Sequence, residues 1–151
     1  MAIVLTVSSL LLLMDQLSKY YIEKWLSPGE SVPIIKNLFQ LTLIHNSGGA
    51  FGLFRRSGSF LFIIVSVLVL TLILLFWKKF LLGEGLGGKL SLSLIIGGAS
   101  GNLVDRLRFG HVIDFLDFSL RGHHWPAFNF SDMGISIGVI ILCYKMLKKT
   151  S

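Results

Sequence analysis

The sequence is poor in charge and nearly devoid of cysteine. Of its 151 residues only 15% are charged, Asp and Glu together number 8, and there is one cysteine. A soluble domain normally carries about 25% charged residues. That scarcity, with a mean hydropathy of +0.75, argues against a water-exposed globular surface and for an integral membrane protein. A lone Cys143 excludes an intramolecular disulfide and a cysteine-rich metal site; within its apolar helical run it reads as a small buried hydrophobe. The sequence contains no HExxH pair, no Cys/His zinc spacing, no Gly-x-Ser-x-Gly elbow and no phosphate-binding loop, which removes the signatures of several hydrolase classes. Nor does the formal charge of +6 make a nucleic-acid binder. Lys78, Lys79, Lys145, Lys148 and Lys149 cluster at the ends of apolar runs, where they would anchor helices at anionic headgroups.

What the chain does have is apolar length. One domain of this size can hold roughly four spans of about 20 residues. The pattern predicts spans at about 2–26, 57–77, 90–106 and 131–147, with extramembrane segments at about 27–56 and 108–130. The expected fold class is an all-α polytopic membrane protein, four transmembrane helices with a small β-rich segment between the first two. The first run does not read as a cleavable signal peptide, because it lacks a basic start and a small-residue cleavage site and is interrupted by Asp15 and Lys19. Those two stand at i and i+4 and share a helical face, so they form either a structural ion pair or part of a site. Ser18 and Lys19 make a poor Ser/Lys dyad, since helical neighbours point about 100° apart. Leu38 to Ile44 reads as a strand, and the glycines Gly48 and Gly49 that follow Asn46 suggest a tight turn. Gly97, Gly98, Ala99, Ser100 and Gly101 would let another helix approach the third span closely.

The scarce acids are unevenly placed. Asp105, Asp114, Asp117 and Asp132 all fall between Gly97 and Asp132, and an aspartate in apolar surroundings needs a reason. Four spans carry Asp15, Asn46, Asp105, Arg106 and Asp132 to one membrane face, opposite the termini, whichever way the chain is inserted. Charge does not fix the absolute orientation, since Lys and Arg are nearly balanced between the two faces. Asn102, Asp105 and Arg106 line one helical face, and Asn129 and Asp132 repeat the i, i+3 spacing where the fourth span begins. A helix start favours ionised Asp132, whereas burial favours the neutral acid. Such opposed influences suit a carboxylate pair sharing a proton, with one member a general base and the other a proton donor. For Asp105 the stronger reading is structural, a pair with Arg106 or Arg108. Asp117 reads as a solvated loop acid, and the adjacent His123 and His124 are badly placed to ligate one metal.

These residues identify a family. Asp15-Gln16-Leu17-Ser18-Lys19, Asn46-Ser47-Gly48-Gly49-Ala50-Phe51, Gly97 to Arg106, Gly110 to Phe115 and Phe128 to Asp132 occur in the order, and at the chain length, of bacterial lipoprotein signal peptidase, the type II signal peptidase. The chain strongly resembles that family of inner-membrane aspartyl peptidases over nearly its whole length. The resemblance implies Asp114 and Asp132 as the catalytic pair. It implies Asp15, Lys19, Asn46, Gly48, Asn102, Asp105, Arg106 and Asn129 as residues that support the pair or position substrate. It further implies cleavage of a diacylglyceryl-modified prolipoprotein just before its lipid-modified cysteine, with no metal or organic cofactor and no nucleic acid. Membrane lipid surrounds such an enzyme, and a globomycin-like cyclic peptide is the implied inhibitor. Both termini would be cytoplasmic, and the site and the β-rich segment would be extracytoplasmic, near the outer surface of the inner membrane. Gly49 and Ser131 stand where alanine is common in the family. Two other classes compete: a small transporter or relay subunit with intramembrane acids, and an assembly protein whose charges only hold helices together. A relay predicts acids spread through the membrane depth, and the predicted second span has none.

Overall fold

The computed structural model describes residues 1–48, 58–81 and 85–150. Four long helices and a small antiparallel sheet follow one another as α1 (Ala2–Trp25), β1 (Ser31–Ile35), β2 (Phe39–Asn46), α2 (Gly58–Leu81), α3 (Leu86–Phe109), β3 (Val112–Leu120), β4 (His123–His124) and α4 (Phe130–Thr150). Gly49, and with it most of the turn expected after Asn46, lies outside the described residues.

Three of the helices, α1, α2 and α4, are long and apolar enough to cross a membrane. Their large apolar side chains face outward: Leu5, Leu13, Phe60, Leu74, Ile140 and Leu147 are all exposed, as expected of surfaces solvated by lipid. Cys143 is exposed too, so the expected buried thiol is corrected to one on the outer face of α4. The inward face of α1 is one stripe, Val4, Ser8, Leu11, Asp15, Lys19 and Ile22, recurring every three or four residues as a helical face must.

α3 is of a different kind. It contacts α1, α2 and α4, and its buried residues are mostly small or polar, among them Gly97, Gly98, Ala99, Gly101, Asn102 and Asp105. Glycine here serves close approach. A Cβ on Gly97 would stand 2.8 Å from the Ser8 carbonyl oxygen of α1, and one on Gly98 would collide with the Ser131 carbonyl of α4. At the end of α3, Gly110 adopts φ 75° and its N–H bonds the Arg106 carbonyl, the left-handed stop at which glycine carries no Cβ penalty.

The sheet runs in the order β1-β2-β3-β4. Its strands β1 and β2 come from between α1 and α2, where a β-rich segment is expected, and β3 and β4, from between α3 and α4, extend it. In the β2–β3 register Gln40 lies opposite Asp117, Ile44 opposite Asp114 and Asn46 opposite Val112, with an irregularity between Leu41 and Ile44. The sheet is fastened to the bundle by Ile22 and Leu26 at the end of α1, packed with Leu43, Ile113, Phe115 and Leu116. β3 thus emerges from α3 against the end of α1, and Asp114 is held over the start of α4.

Candidate active site

The site grows outward from a buried ammonium. Lys19 on α1 is 2% exposed and its Nζ lies 2.7 Å from Asp15 Oδ2 and 2.7 Å from Asp105 Oδ2. Its third proton points to Asn102 Oδ1 at 3.3 Å. An ammonium has three donors and no acceptor, and here each has a partner. The Asp15–Lys19 spacing read from the sequence is therefore a real ion pair. Asp105, however, pairs with Lys19 across the helix interface and not with Arg106 or Arg108; Gln16 Nε2 donates to its other oxygen at 2.8 Å. The remaining Asp15 oxygen accepts the Ser131 backbone N–H at 2.9 Å, which ties the first turn of α4 to α1.

Because Lys19 can only donate, Asn102 must turn its carbonyl oxygen toward it, and the amide orientation is fixed by the network. Its Nδ2 then faces outward and donates to Asp132 Oδ1 at 2.7 Å. Asn129, just before α4, is fully buried and serves both acids at once. Its Oδ1 accepts the Asp132 backbone N–H at 2.9 Å, as a residue preceding a helix commonly does, and its Nδ2 donates to Asp114 Oδ1 at 2.7 Å. From the other side Asn46 Nδ2 donates to Asp114 Oδ2 at 2.8 Å, while Asn46 Oδ1 accepts the Gly48 N–H. Asp114 and Asp132 both line a cavity of about 710 Å³, with Asn46, Asn102, Arg106 and Phe62.

The two carboxyl groups differ in surroundings. Asp114, on β3, is 2% exposed, and its pKa is raised from 3.8 to about 7, first by burial and then by the negative charge of Asp132, against the bonds from Asn46 and Asn129 and the charge of Lys19. Asp132 is only half-buried, on the side open to the cavity. Arg106 lies along the wall, Nη1 donating to the Asn102 carbonyl at 3.3 Å and its guanidinium 4.8 Å over the Phe62 ring. Beyond β2, His111 is held below the usual imidazole range by burial and by the neighbouring His45.

All ten residues singled out in the sequence therefore belong to this one network or to the cavity wall. Gln16 was missed; only its place between Asp15 and Lys19 could have signalled it. Asp117 requires correction. It is no solvated loop acid but a 6% exposed residue of β3, bonded by Gln40 Nε2 at 2.6 Å and by His124 Nδ1 at 2.9 Å, on the sheet and outside this network. Ser131 is fully buried and its Oγ has no hydrogen-bond partner among the described residues.

Comparison with known proteins points to one family. The family model described as signal peptidase (SPase) II matches residues 7–148. A lipoprotein signal peptidase of Moorella thermoacetica is 48% identical over 143 residues, 95% of this chain and 91% of the relative. That of Thermodesulfovibrio yellowstonii is 44% identical over 93% of this chain and 91% of its own length. Among solved structures, a bacterial membrane enzyme determined by the in meso method at 2.3 Å superposes with a TM-score of 0.89 at 30% identity, over 100% of this chain and 91% of that one.

Proposed function

The chain belongs to the signal peptidase II family, and from that membership we propose that it is an aspartic endopeptidase whose reacting pair is Asp114 and Asp132. As a peptidase of this family it removes signal peptides from prolipoproteins; the finer reading is cleavage before a cysteine that already carries diacylglycerol. The observation that carries the aspartic chemistry is the pair itself. Two carboxyl groups of different exposure line one cavity, and one amide, Asn129, joins the Asp114 carboxyl to the Asp132 backbone N–H.

The roles follow from the surroundings. A buried carboxyl resists ionisation, so Asp114 holds the proton of the pair up to about pH 7. Asp132, facing the cavity and receiving the Asn102 N–H, takes a proton from water. The water oxygen bonds to the scissile carbonyl carbon while Asp114 protonates the carbonyl oxygen, giving a neutral tetrahedral gem-diol. Collapse then returns a proton to Asp114, delivers the proton on Asp132 to the leaving nitrogen, and breaks the C–N bond. Positioning and water exclusion supply much of such an acceleration, and here they fall to Asn46, Asn102 and Asn129. Arg106 lines the wall beside the pair.

For the membrane setting, α3 is the fourth span. Its 24 residues make about 36 Å of helix, enough for a hydrocarbon core of about 30 Å. Trp25 closes α1 and the exposed Trp125 precedes α4, both on the site's side, where indole rings prefer the headgroup level. Both termini are then cytoplasmic and the dyad sits near the outer surface of the inner membrane, reachable by water from outside and by acyl chains from the side. A globomycin-like cyclic peptide would compete for the same cavity. The relay reading fares worse, because Asp15, Asp105, Asp114 and Asp132 gather in one network and do not form a trail across the bilayer.

The test is processing of a diacylglyceryl-modified prolipoprotein by wild type, Asp114→Asn and Asp132→Asn. Both variants should stay folded and lose cleavage by several orders of magnitude. Folded variants that cleave at the wild-type rate would remove the dyad from the mechanism.

A further inference from the structure

Away from the dyad, on the opposite side of β2, three metal-ligating side chains from three different elements meet. Glu23 comes from the last turns of α1, His45 from the penultimate position of β2, and His111 from the residue that joins α3 to β3. One ligand atom from each lies within 4.8 Å of the other two, and His45 Nε2 already stands 3.5 Å from Glu23 Oε1. Zinc–ligand distances of about 2.0–2.2 Å in a tetrahedron require ligand atoms about 3.3–3.5 Å apart, so closing the set needs only side-chain shifts of about an ångström.

The imidazole of His111 is prepared for this. One of its nitrogens bonds the Phe109 backbone, while Nε2 is buried and has no hydrogen-bond partner among the described residues. A ring N–H held by a backbone carbonyl fixes the tautomer and leaves the other nitrogen with a free lone pair, which is how metal-ligating histidines are commonly oriented. The ring is further set by its neighbours, with His45 stacked on it at 4.1 Å between centroids and Phe109 at 6.0 Å. A buried nitrogen without a partner is costly unless something occupies it. Two imidazoles and one carboxylate are a donor set suited to zinc and its borderline neighbours, not to magnesium or calcium, which prefer oxygen.

We propose that Glu23, His45 and His111 form a binding site for a zinc-class divalent ion, with the fourth position open to water. The ion would clamp the end of β2 to α1 and to the α3–β3 junction. Its reach stops short of the chemistry: His45 is followed by Asn46, the residue that bonds Asp114, so the clamp fixes the strand that delivers Asn46. No sequence signature announces this set, because its members are far apart along the chain and belong to no zinc-binding spacing.

The experiment uses the full-length, tag-free protein in detergent micelles, stripped with chelator and titrated at pH 7.5 with Zn²⁺ and, as a spectroscopic probe, Co²⁺. One equivalent of Zn²⁺ should bind and raise the melting temperature, and Co²⁺ should give the intense visible bands of a four-coordinate site. Magnesium should do neither. Glu23→Gln and His45→Asn should each weaken Zn²⁺ binding at least tenfold, and His111→Asn should do the same, whereas His123→Asn/His124→Asn should bind as wild type does. Glu23→Gln is nearly isosteric and guards against loss of fold as the cause. The proposal is overturned if wild type binds no more Zn²⁺ than the His45→Asn/His111→Asn double variant, which would leave only a Glu23–His45 ion pair. Loss of binding confined to the His123→Asn/His124→Asn variant would overturn it equally.

Discussion

Replacing Asp114 by asparagine should disable the enzyme and stabilise the fold, and the second effect is the more discriminating. Burial, with the charge of Asp132 added, lifts this carboxyl from 3.8 to about 7. At about 1.4 kcal/mol per pH unit, ionising it in the native state costs about 4 kcal/mol relative to the unfolded chain. The sign follows from proton counting. Between about pH 4 and 7 the folded chain binds the proton that the unfolded chain has released, so stability from this group is fully present below pH 4 and is lost as pH rises through 7. Asparagine carries no such cost. It does place an NH₂ against one of the two amides, Asn46 or Asn129, that now donate to Asp114, which forfeits about 1–2 kcal/mol. The net gain at pH 8 is about 2–3 kcal/mol, or roughly 5–10 °C in melting temperature for a chain of this size. At pH 4 the gain should vanish and the variant should melt slightly below wild type. Thermal unfolding in micelles at both pH values, beside a cleavage assay, reads the two effects together. A variant that melts lower than wild type by the same margin at pH 4 and pH 8 would refute the account of Asp114 as a buried, destabilised acid.

Lys19→Met should be severe, because it leaves Asp15 and Asp105 buried without their shared counter-ion; a loss of about 3–5 kcal/mol should appear as a large drop in melting temperature and in folded yield. Ser131→Ala should leave stability unchanged or raise it by about 1 kcal/mol, since its buried hydroxyl has no hydrogen-bond partner among the described residues; a clear drop in melting temperature would mean that the hydroxyl has one. Gly101→Ala should destabilise by about 1–3 kcal/mol, because the new methyl group would collide with Ser131 Oγ and stand 2.7 Å from Asp15 Oδ2; an unchanged melting temperature would show that α3 and α4 are less tightly apposed than described.

The helical part of this fold was legible because periodicity and apolar length act locally. Asp15 and Lys19 are neighbours on α1 by helical geometry alone, and the glycines around Gly98 announce a close helical partner without naming it. β2 declared itself through its β-branched and aromatic residues. β3 did not. Val112 to Phe115 and on to Asp117 are buried on both faces, so the run lacks the alternation that marks a half-exposed strand. Once that strand was unseen, Asp117 had to look like a loop acid, since its burial depends on Gln40 across the register. The polar residues of the site could be gathered on one face by counting spans, but their bonding could not. Whether Asp105 meets Arg106, Arg108 or Lys19 is decided by how α1 packs on α3, and sequence spacing is silent on that. The exposed Cys143 has the same origin, because apolar runs in a lipid-solvated helix do not distinguish inner from outer faces.

Asn129 has a consequence that concerns timing. Its two ends hold different things, the first turn of a helix and the carboxyl of a strand. Until α4 has docked, Asn129 cannot span them, and the two acids belong to separate, unconnected pieces of chain. With the proposed dyad, cleavage therefore waits on the docking of α4, and a single amide group couples activity to assembly.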